Sequence, residues 1–432
     1  MNKKVFALIA TCMLWASADA QIFQGLGKKV KNKLQERIDS KTEKATGSLL
    51  DKLEGKSNPK GQAEKEGLGS TPTAQQALES YSKYDFLPGE NILYLEDFQK
   101  QPIGELPANW NANGKGEVVE INKVSGKYLR LFPGTKYLTG NTAAFGDDFT
   151  IEFDLILHGT PPSGTRFYPE LAIGLFSAQG KSTTDNKYLE LYPDVNNITE
   201  ILLKPNVDDR SSASLKTKGP ANSTTFSTGE IYFPEYSQSF GKSAHYAIQV
   251  QKQRLRFWVN GHKVFDLPRA INAGPAINQL YFHSLKYWFY TEENFGLYLT
   301  NIKIAKGVSS PIESLRQKGS FSTSGILFDT NSDQLRPQSM GLLKEIGKYM
   351  AQNTEVKLQI VGHTDNEGEA ASNLKLSTKR AAKVREVLVE EHSVDAVRID
   401  ISGKGESAPL NQNLNPHQKA QNRRVEFIRL SK

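Results

Sequence analysis

The sequence predicts a multidomain chain: an all-β sandwich, then a smaller α+β module, behind an N-terminal helix and a linker. Three observations carry this. Phe149, Ile151, Phe153, Leu155 and Leu157 alternate with mostly polar residues, the period of two of a β-strand. Asn260-Gly261 separates two β-rich runs and accepts positive φ at both turn positions, which marks a hairpin. From about residue 307 strand-like and helix-like patterns alternate instead.

The 432 residues carry 54 Lys+Arg against 47 Asp+Glu, a formal net charge of +7. The excess is spread thinly, without the dense basic tract of a nucleic-acid binder, so no nucleic-acid partner is expected. The single cysteine, Cys12, excludes an intrachain disulfide, a Cys-based zinc site and an iron–sulfur cluster. No cofactor and no metal are expected.

Lys3 and Lys4, a short apolar run from Val5 to Trp15, and Ala18-Asp19-Ala20 read as a secretory signal peptide over 1–20, cleaved before Gln21. The run is too short for a membrane anchor, which needs about 20 apolar residues. Thr11 is a poor residue before a lipidated cysteine, and the apolar run continues past Cys12. No other long apolar stretch follows, so no transmembrane helix is expected.

Over 21–54, Leu26, Val30, Leu34 and Ile38 recur at helical spacing among many charges, and Leu49, Leu50 and Leu53 resume the stripe. A solvated or self-associating helix fits this pattern better than an interfacial membrane helix, because aromatic residues are nearly absent and charge signs are mixed. Residues 55–83 are rich in Gly, Ser, Pro and charge and read as a flexible linker.

Residues 84–306 read as one all-β domain. Beside the hairpin, β-rich runs occur at 128–132, 170–176, 187–192, 245–251 and 296–304. A membrane β-barrel is the rival, but its strands need an unbroken apolar outer face, and Pro161-Pro162, Pro205 and Pro220 interrupt the alternation. Leu95-Glu96-Asp97-Phe98, the Phe-Thr-Ile-Glu-Phe-Asp strand, the Val259-Asn260-Gly261 hairpin and a closing Leu-Tyr-Leu-Thr-Asn-Ile-Lys-Ile strand together resemble the laminin-G/concanavalin-A-like jelly roll.

In the final module, 307–432, residues 325–328 read as extended. Pro337 opens a helix with Leu342, Leu343, Ile346 and Met350 on one face. Val356, Leu358 and Ile360 alternate as a strand. Leu374, Ala381, Val384 and Leu388 mark a second helix, with Ser372 or Asn373 as N-cap. Further strands are expected at 398–402 and 424–428.

Four motifs stand out there: Ile326-Leu327-Phe328-Asp329-Thr330-Asn331-Ser332, Gly362-His363-Thr364-Asp365-Asn366-Glu367-Gly368, Asn373-Leu374-Lys375-Leu376-Ser377-Thr378-Lys379-Arg380-Ala381 and Asn422-Arg423-Arg424-Val425-Glu426. In order and spacing they resemble the OmpA-like peptidoglycan-binding domain, a βαβα module of the Gram-negative envelope. The resemblance implies a periplasmic protein associated with the outer membrane and cell wall, binding peptidoglycan without covalent chemistry. It assigns Asp365 and Arg380 to the diaminopimelate of the peptide stem. Asn331, Thr364, Asn373, Leu376 and the run ending in Arg424 match positions that line or support the pocket.

The residues carry a physical logic of their own. Asp365 lies in a loop at a strand's end, and Arg380 two turns into the next helix. A carboxylate and a guanidinium close together suit a zwitterion, the first taking an ammonium and the second a carboxylate. The competing reading is an ordinary ion pair bracing the loop. His363 reads as a structural turn residue, and Lys375, Lys379, Lys383 and Arg385 as a solvated helix face.

In the sandwich, Glu152 and Asp154 share a strand face, which invites a glycosidase reading. Laminarinase-like members of the fold carry a further Glu three residues on, where this chain has Leu157, so the pattern fails. Trp110, Trp258, Trp288 and the 287–290 aromatic cluster either fill the core or stack on sugars. Asp147-Asp148 and Asp208-Asp209 read as solvated turns before calcium ligands. The expected function is a non-catalytic wall-binding envelope protein whose sandwich holds a glycan or protein partner. The alternatives are a wall-tethered glycan-processing enzyme and a porin-like protein with a short barrel.

Overall fold

The computed structural model describes residues 85–430 apart from 179–184, 191–194, 196, 209, 309 and 330. The signal peptide, helical segment and linker expected over 1–83 lie outside the described residues. Among the described residues no helix is long and apolar enough to cross a membrane.

Two antiparallel sheets face each other. The first runs His262–Leu267, Arg254–Val259, Ser243–Gln251, Asp148–Gly159, Phe295–Lys306, Val124–Leu131 and Gly116–Ile121, with Asn91–Glu96 also paired to Phe295–Lys306. The second runs Thr224–Ser227, Ser212–Lys218, Ile198–Lys204, Leu171–Phe176, Gln279–Ser284, Thr135–Leu138 and Asn111–Ala112, with Ile231–Tyr232 paired to Ser212–Lys218. Their inner faces interdigitate: Phe153 stacks on Tyr246 at 5.0 Å and meets Phe282 edge-on at 5.1 Å. The hairpin forms as expected, with φ of +47° at Asn260 and +86° at Gly261. The β-rich run at 187–192 differs: Asn186–Leu189 is a turn of 3₁₀ helix capped by the Asp185 side chain, which accepts from the Lys187 amide.

The polar side of the Asp148–Gly159 strand is also not what alternation predicts. Thr150, Glu152 and Asp154 are buried. The 85–90 segment crosses this face: Thr150 Oγ1 accepts from the Gly89 amide at 2.9 Å, and Gln249 donates to the Leu87 carbonyl at 3.1 Å. Phe86 packs edge-on against Trp258. Further along the same face lies a buried charged network. His245 Nδ1 meets Asp154 Oδ1 at 2.8 Å, Lys303 Nζ meets Glu152 Oε1 at 2.7 Å, and Asn301 donates to Asp154 Oδ2 at 2.7 Å. Glu152 and Asp154 are thus engaged and closed off, not a carboxylate pair flanking a cleft.

The final module is a four-stranded sheet in the order Ser320–Thr323, Val425–Arg429, Leu358–His363, Ile399–Gly405. Only the last pair is parallel, and the Ala370–Glu390 helix connects it. That helix and Met340–Gln352 pack over the sheet around Leu343, Ile346, Ile360, Val384 and Phe427. Three expectations shift here. Residues 325–328 form no regular strand; the edge strand is Ser320–Thr323, and Phe328 makes only a bridge to Leu335. The long helix starts at Ala370 with Glu369 as N-cap, because Gly368 turns at φ +91°, so Ser372 and Asn373 lie inside it. Two short helices escaped the hydrophobic pattern, Pro311–Gln317 and Pro416–Asn422. Both carry a legible start signal: a capping Ser310 or Asn415 followed by proline at the first helical position. The second one seats Ala420 on Ile92 and Ala305 of the sandwich.

The long helix lies almost against the sheet. A methyl group at Gly362 would sit 2.2 Å from the Ser377 carbonyl oxygen, and one at Gly403 would sit 2.6 Å from the Thr378 backbone nitrogen. Gly362→Ala should therefore cost about 1–3 kcal/mol by overpacking, read as a lower denaturation midpoint; an unchanged midpoint would show that the helix has room to move.

A second prediction concerns pH. Burial drives the His245 imidazole toward neutrality, but its hydrogen bond to Asp154 and the adjacent Glu152 carboxylate, 3.6 Å from Nε2, outweigh this and raise its pKa to about 9. Burial likewise works against an ionised Glu152, but Lys303 and His245 hold its pKa down at about 2. The histidine's contribution is complete below its ordinary value of 6.5 and is lost as pH rises through about 9. The glutamate's is complete above 4.5 and is lost as pH falls through about 2. Thermal melts should show stability falling between pH 6.5 and 9 by on the order of 1–3 kcal/mol, and His245→Gln should remove that slope.

Candidate functional site

The candidate site lies at the carboxyl end of the Leu358–His363 strand, where open α/β arrangements present polar groups above a rigid sheet. The sheet fixes the loop that follows: the His363 amide donates to the Arg424 carbonyl at 3.0 Å and the Thr364 amide to the Gly405 carbonyl at 2.9 Å. Thr364 is buried and its hydroxyl donates to the Asp365 carbonyl at 2.8 Å. Asn373, buried in the first turns of the long helix, ties the loop down. Its side-chain amide donates to Glu406 Oε2 at 2.6 Å, the Glu367 carbonyl at 3.0 Å and the Asp365 carbonyl at 3.4 Å.

Asp365 is held from two sides. One oxygen accepts from the Glu367 amide at 3.1 Å, the other from Arg423 Nη1 at 2.5 Å. Its side chain is only 9% exposed, whereas Arg423 is 42% exposed. The ion pair that braces this loop therefore runs from Asp365 to Arg423, the end of the Pro416–Asn422 helix.

Arg380 stands apart from that pair. Its Nε donates to the Ser332 carbonyl at 2.9 Å, and its guanidinium lies 4.9 Å above the Phe328 ring. Among the described residues it makes no ion pair. Burial, and then the like charge of Arg423, lower its pKa; Asp365 and Asp333 oppose this. A guanidinium stays charged under such shifts, so the site holds one cation without a carboxylate beside a carboxylate that already has a cation. Asn331, exposed at φ +54°, turns the loop that offers the Ser332 carbonyl. Leu376 is half-buried on the helix between Asn373 and Arg380.

Arg424 is buried away from Asp365. It donates to the Ala408 carbonyl at 3.0 Å; burial, and then the Arg424 charge, lower the pKa of His363 against the opposing Glu426. His363 is buried, with Nε2 3.4 Å from Glu426. Arg423, the neighbour of the expected residue, is the one that reaches the site. No strand alternation marks it: Arg423 is the C-cap of the Pro416–Asn422 helix, exposed and ahead of the strand that begins at Val425, whereas Arg424 is buried. Among the described residues no group of three or more His, Cys, Asp or Glu is placed to hold a metal ion.

The aromatic candidates of the sandwich divide. Trp258 is fully buried, and Trp110 is buried with its indole N–H donating to Tyr94. Trp288 is exposed.

Residues 327–423 match the model of the OmpA family. Over 101 residues the chain is 38% identical to outer membrane porin F of Pseudomonas aeruginosa, covering 23% of this chain and 29% of that protein. Over 106 residues it is 36% identical to the outer-membrane lipoprotein YfiB of the same organism, covering 24% of this chain and 62% of that protein. Among solved structures, the peptidoglycan-associated lipoprotein from Burkholderia pseudomallei is 26% identical, with a TM-score of 0.24, covering 28% of this chain and 99% of that one. The chain thus spans less than two thirds of either curated relative, and the family match lies wholly beyond the sandwich.

Asn373→Ala removes the side-chain amide's contacts to the Asp365 and Glu367 carbonyls of the loop and its contact to Glu406. It should cost about 1–3 kcal/mol and speed amide hydrogen exchange over residues 364–369; unchanged exchange there would show that the sheet alone holds the loop.

Proposed function

We propose that this chain is a non-catalytic cell-envelope protein that grips peptidoglycan through its final module. The observation that carries the reading is Arg380: a half-buried guanidinium held by carbonyls and a ring, without an ion-pair partner among the described residues, beside Asp365. A free amino-acid end, as diaminopimelate offers, places its carboxylate on Arg380 through paired hydrogen bonds. Its ammonium goes to Asp365, sharing that carboxylate with Arg423. Thr364, Asn373 and Asn331 hold the two loops, Leu376 flanks the pocket, and Arg424 supports it from below. The family match over 327–423 supports the same reading.

The rest of the chain fits an anchored envelope protein. We assign 1–20 to a signal peptide, 21–54 to a helical segment able to self-associate, 55–83 to a linker, 84–306 to the sandwich and 307–432 to the wall-binding module. The location is the periplasm, against the outer membrane and wall of a Gram-negative cell. The two-sheet topology favours a laminin-G/concanavalin-A-like jelly roll, which leaves the sandwich to hold a glycan or a second envelope protein. The buried state of Glu152 and Asp154 speaks against catalysis there.

Co-sedimentation with purified diaminopimelate-type peptidoglycan tests the reading. The wild-type chain should pellet, and Asp365→Ala and Arg380→Ala should each lose most of the pelleted fraction, roughly tenfold in affinity, while circular dichroism stays unchanged. Undiminished pelleting of both variants would refute the assignment.

A further inference from the structure

The end of the sandwich carries an open cleft of about 360 Å³ between the 132–135 and 286–292 loops. Its most exposed large side chain is Trp288, 84% accessible although the Lys286 ammonium already sits 4.6 Å from the ring centroid. With a cation on one face, that degree of exposure leaves the other face of the indole open. Trp288 is not a lone surface ring: its neighbour Phe289 is 57% exposed, so two large aromatic side chains stand in water at the mouth of the cleft. The loop is not floppy filler. Tyr287 donates to Glu170 at 3.0 Å, Tyr290 donates to the Phe167 carbonyl, and the Tyr290 ring packs edge-on against Phe295 at 5.5 Å. Trp288 is presented by a braced turn.

The charges around it are unequal. Lys115 pairs with Glu292 at 2.6 Å, and Arg130 lies 4.9 Å above the Phe132 ring. Lys286 makes no ion pair among the described residues, so the cleft keeps positive charge beside its open aromatic face. Thr135 and Thr291 add hydroxyls to the lining. A shallow, wet cleft with an open indole, hydroxyls and an unpaired ammonium suits a sugar ring that carries a carboxylate.

Resting on the reading of the sandwich as a ligand-holding module, we propose that the Trp288 cleft binds an acidic oligosaccharide. One pyranose ring stacks on the free face of Trp288. The carboxylate of a neighbouring unit, which the oligosaccharide carries past the edge of the indole, meets the Lys286 ammonium held over the opposite face.

Isothermal titration of the full chain with hexagalacturonate tests this, with maltohexaose, polyglutamate and an oligo-dT strand as comparators. Hexagalacturonate should bind better than all three. Trp288→Ala should weaken it by about tenfold and Lys286→Gln several-fold, while Arg380→Ala leaves it unchanged, which separates this cleft from the wall-binding pocket. Equal binding of polyglutamate or oligo-dT would show a charge effect alone and overturn the proposal. Tight sugar binding that survives Trp288→Ala would overturn the cleft while leaving the sandwich a glycan binder. No binding of hexagalacturonate by the wild-type chain would overturn the acidic-sugar proposal and leave the sandwich reading to its protein-partner form.

Discussion

The long helix of the final module rests directly on its sheet, and the candidate site exists because of that contact. At Gly362 and Gly403 the helix backbone occupies the space a side chain would need. Ser377 uses the proximity: its hydroxyl accepts from the Gly405 amide at 2.9 Å and donates to the Leu374 carbonyl at 2.9 Å. The helix is thereby locked in height and rotation against the strand that ends at His363. Arg380, one turn beyond Ser377, and Asp365, two residues beyond the strand, inherit a fixed spacing. Any side chain at those glycines would lift the helix and spread the site.

Charge then decides what the site can do. Pairing Arg423 with a buried Asp365 satisfies the carboxylate in the absence of any ligand, which matters because an unpaired buried charge is costly. Arg380 receives no such partner; carbonyl oxygens and the Phe328 ring hold it without cancelling its charge. The asymmetry leaves the charge of Arg380 uncancelled while Asp365 shares its carboxylate with the solvent-exposed arm of Arg423. The sandwich shows the opposite arrangement. There His245 and Lys303 balance Glu152 and Asp154 inside one covered network, which leaves no net charge to recruit anything.

Much of the final module was legible because its signals are local. A glycine-rich strand end, a loop carboxylate and a helical arginine all lie within about twenty residues, and the strand and helix periods bracket them. The choice between Arg423 and Arg424 was not legible, because it depends on where the Pro416–Asn422 helix ends and the strand at Val425 begins. The sandwich was less legible, because its polar strand face is buried by the distant 85–90 segment, and no pattern within Asp148–Gly159 announces that cover. The same holds for Trp258, whose burial depends on Phe86. The start of the long helix was misplaced because Ser372 and Asn373 have capping chemistry, yet the turn at Gly368 had already begun the helix and left Asn373 free to brace the loop.

A crystal structure of the full chain with a diaminopimelate-containing stem peptide tests the central claim most directly. The account predicts the ligand carboxylate within hydrogen-bond distance of Arg380 and its ammonium on Asp365, with the Asp365–Arg423 contact opened or shared. A peptide seated elsewhere, with Arg380 still bound only to the Ser332 carbonyl and Phe328, would contradict it.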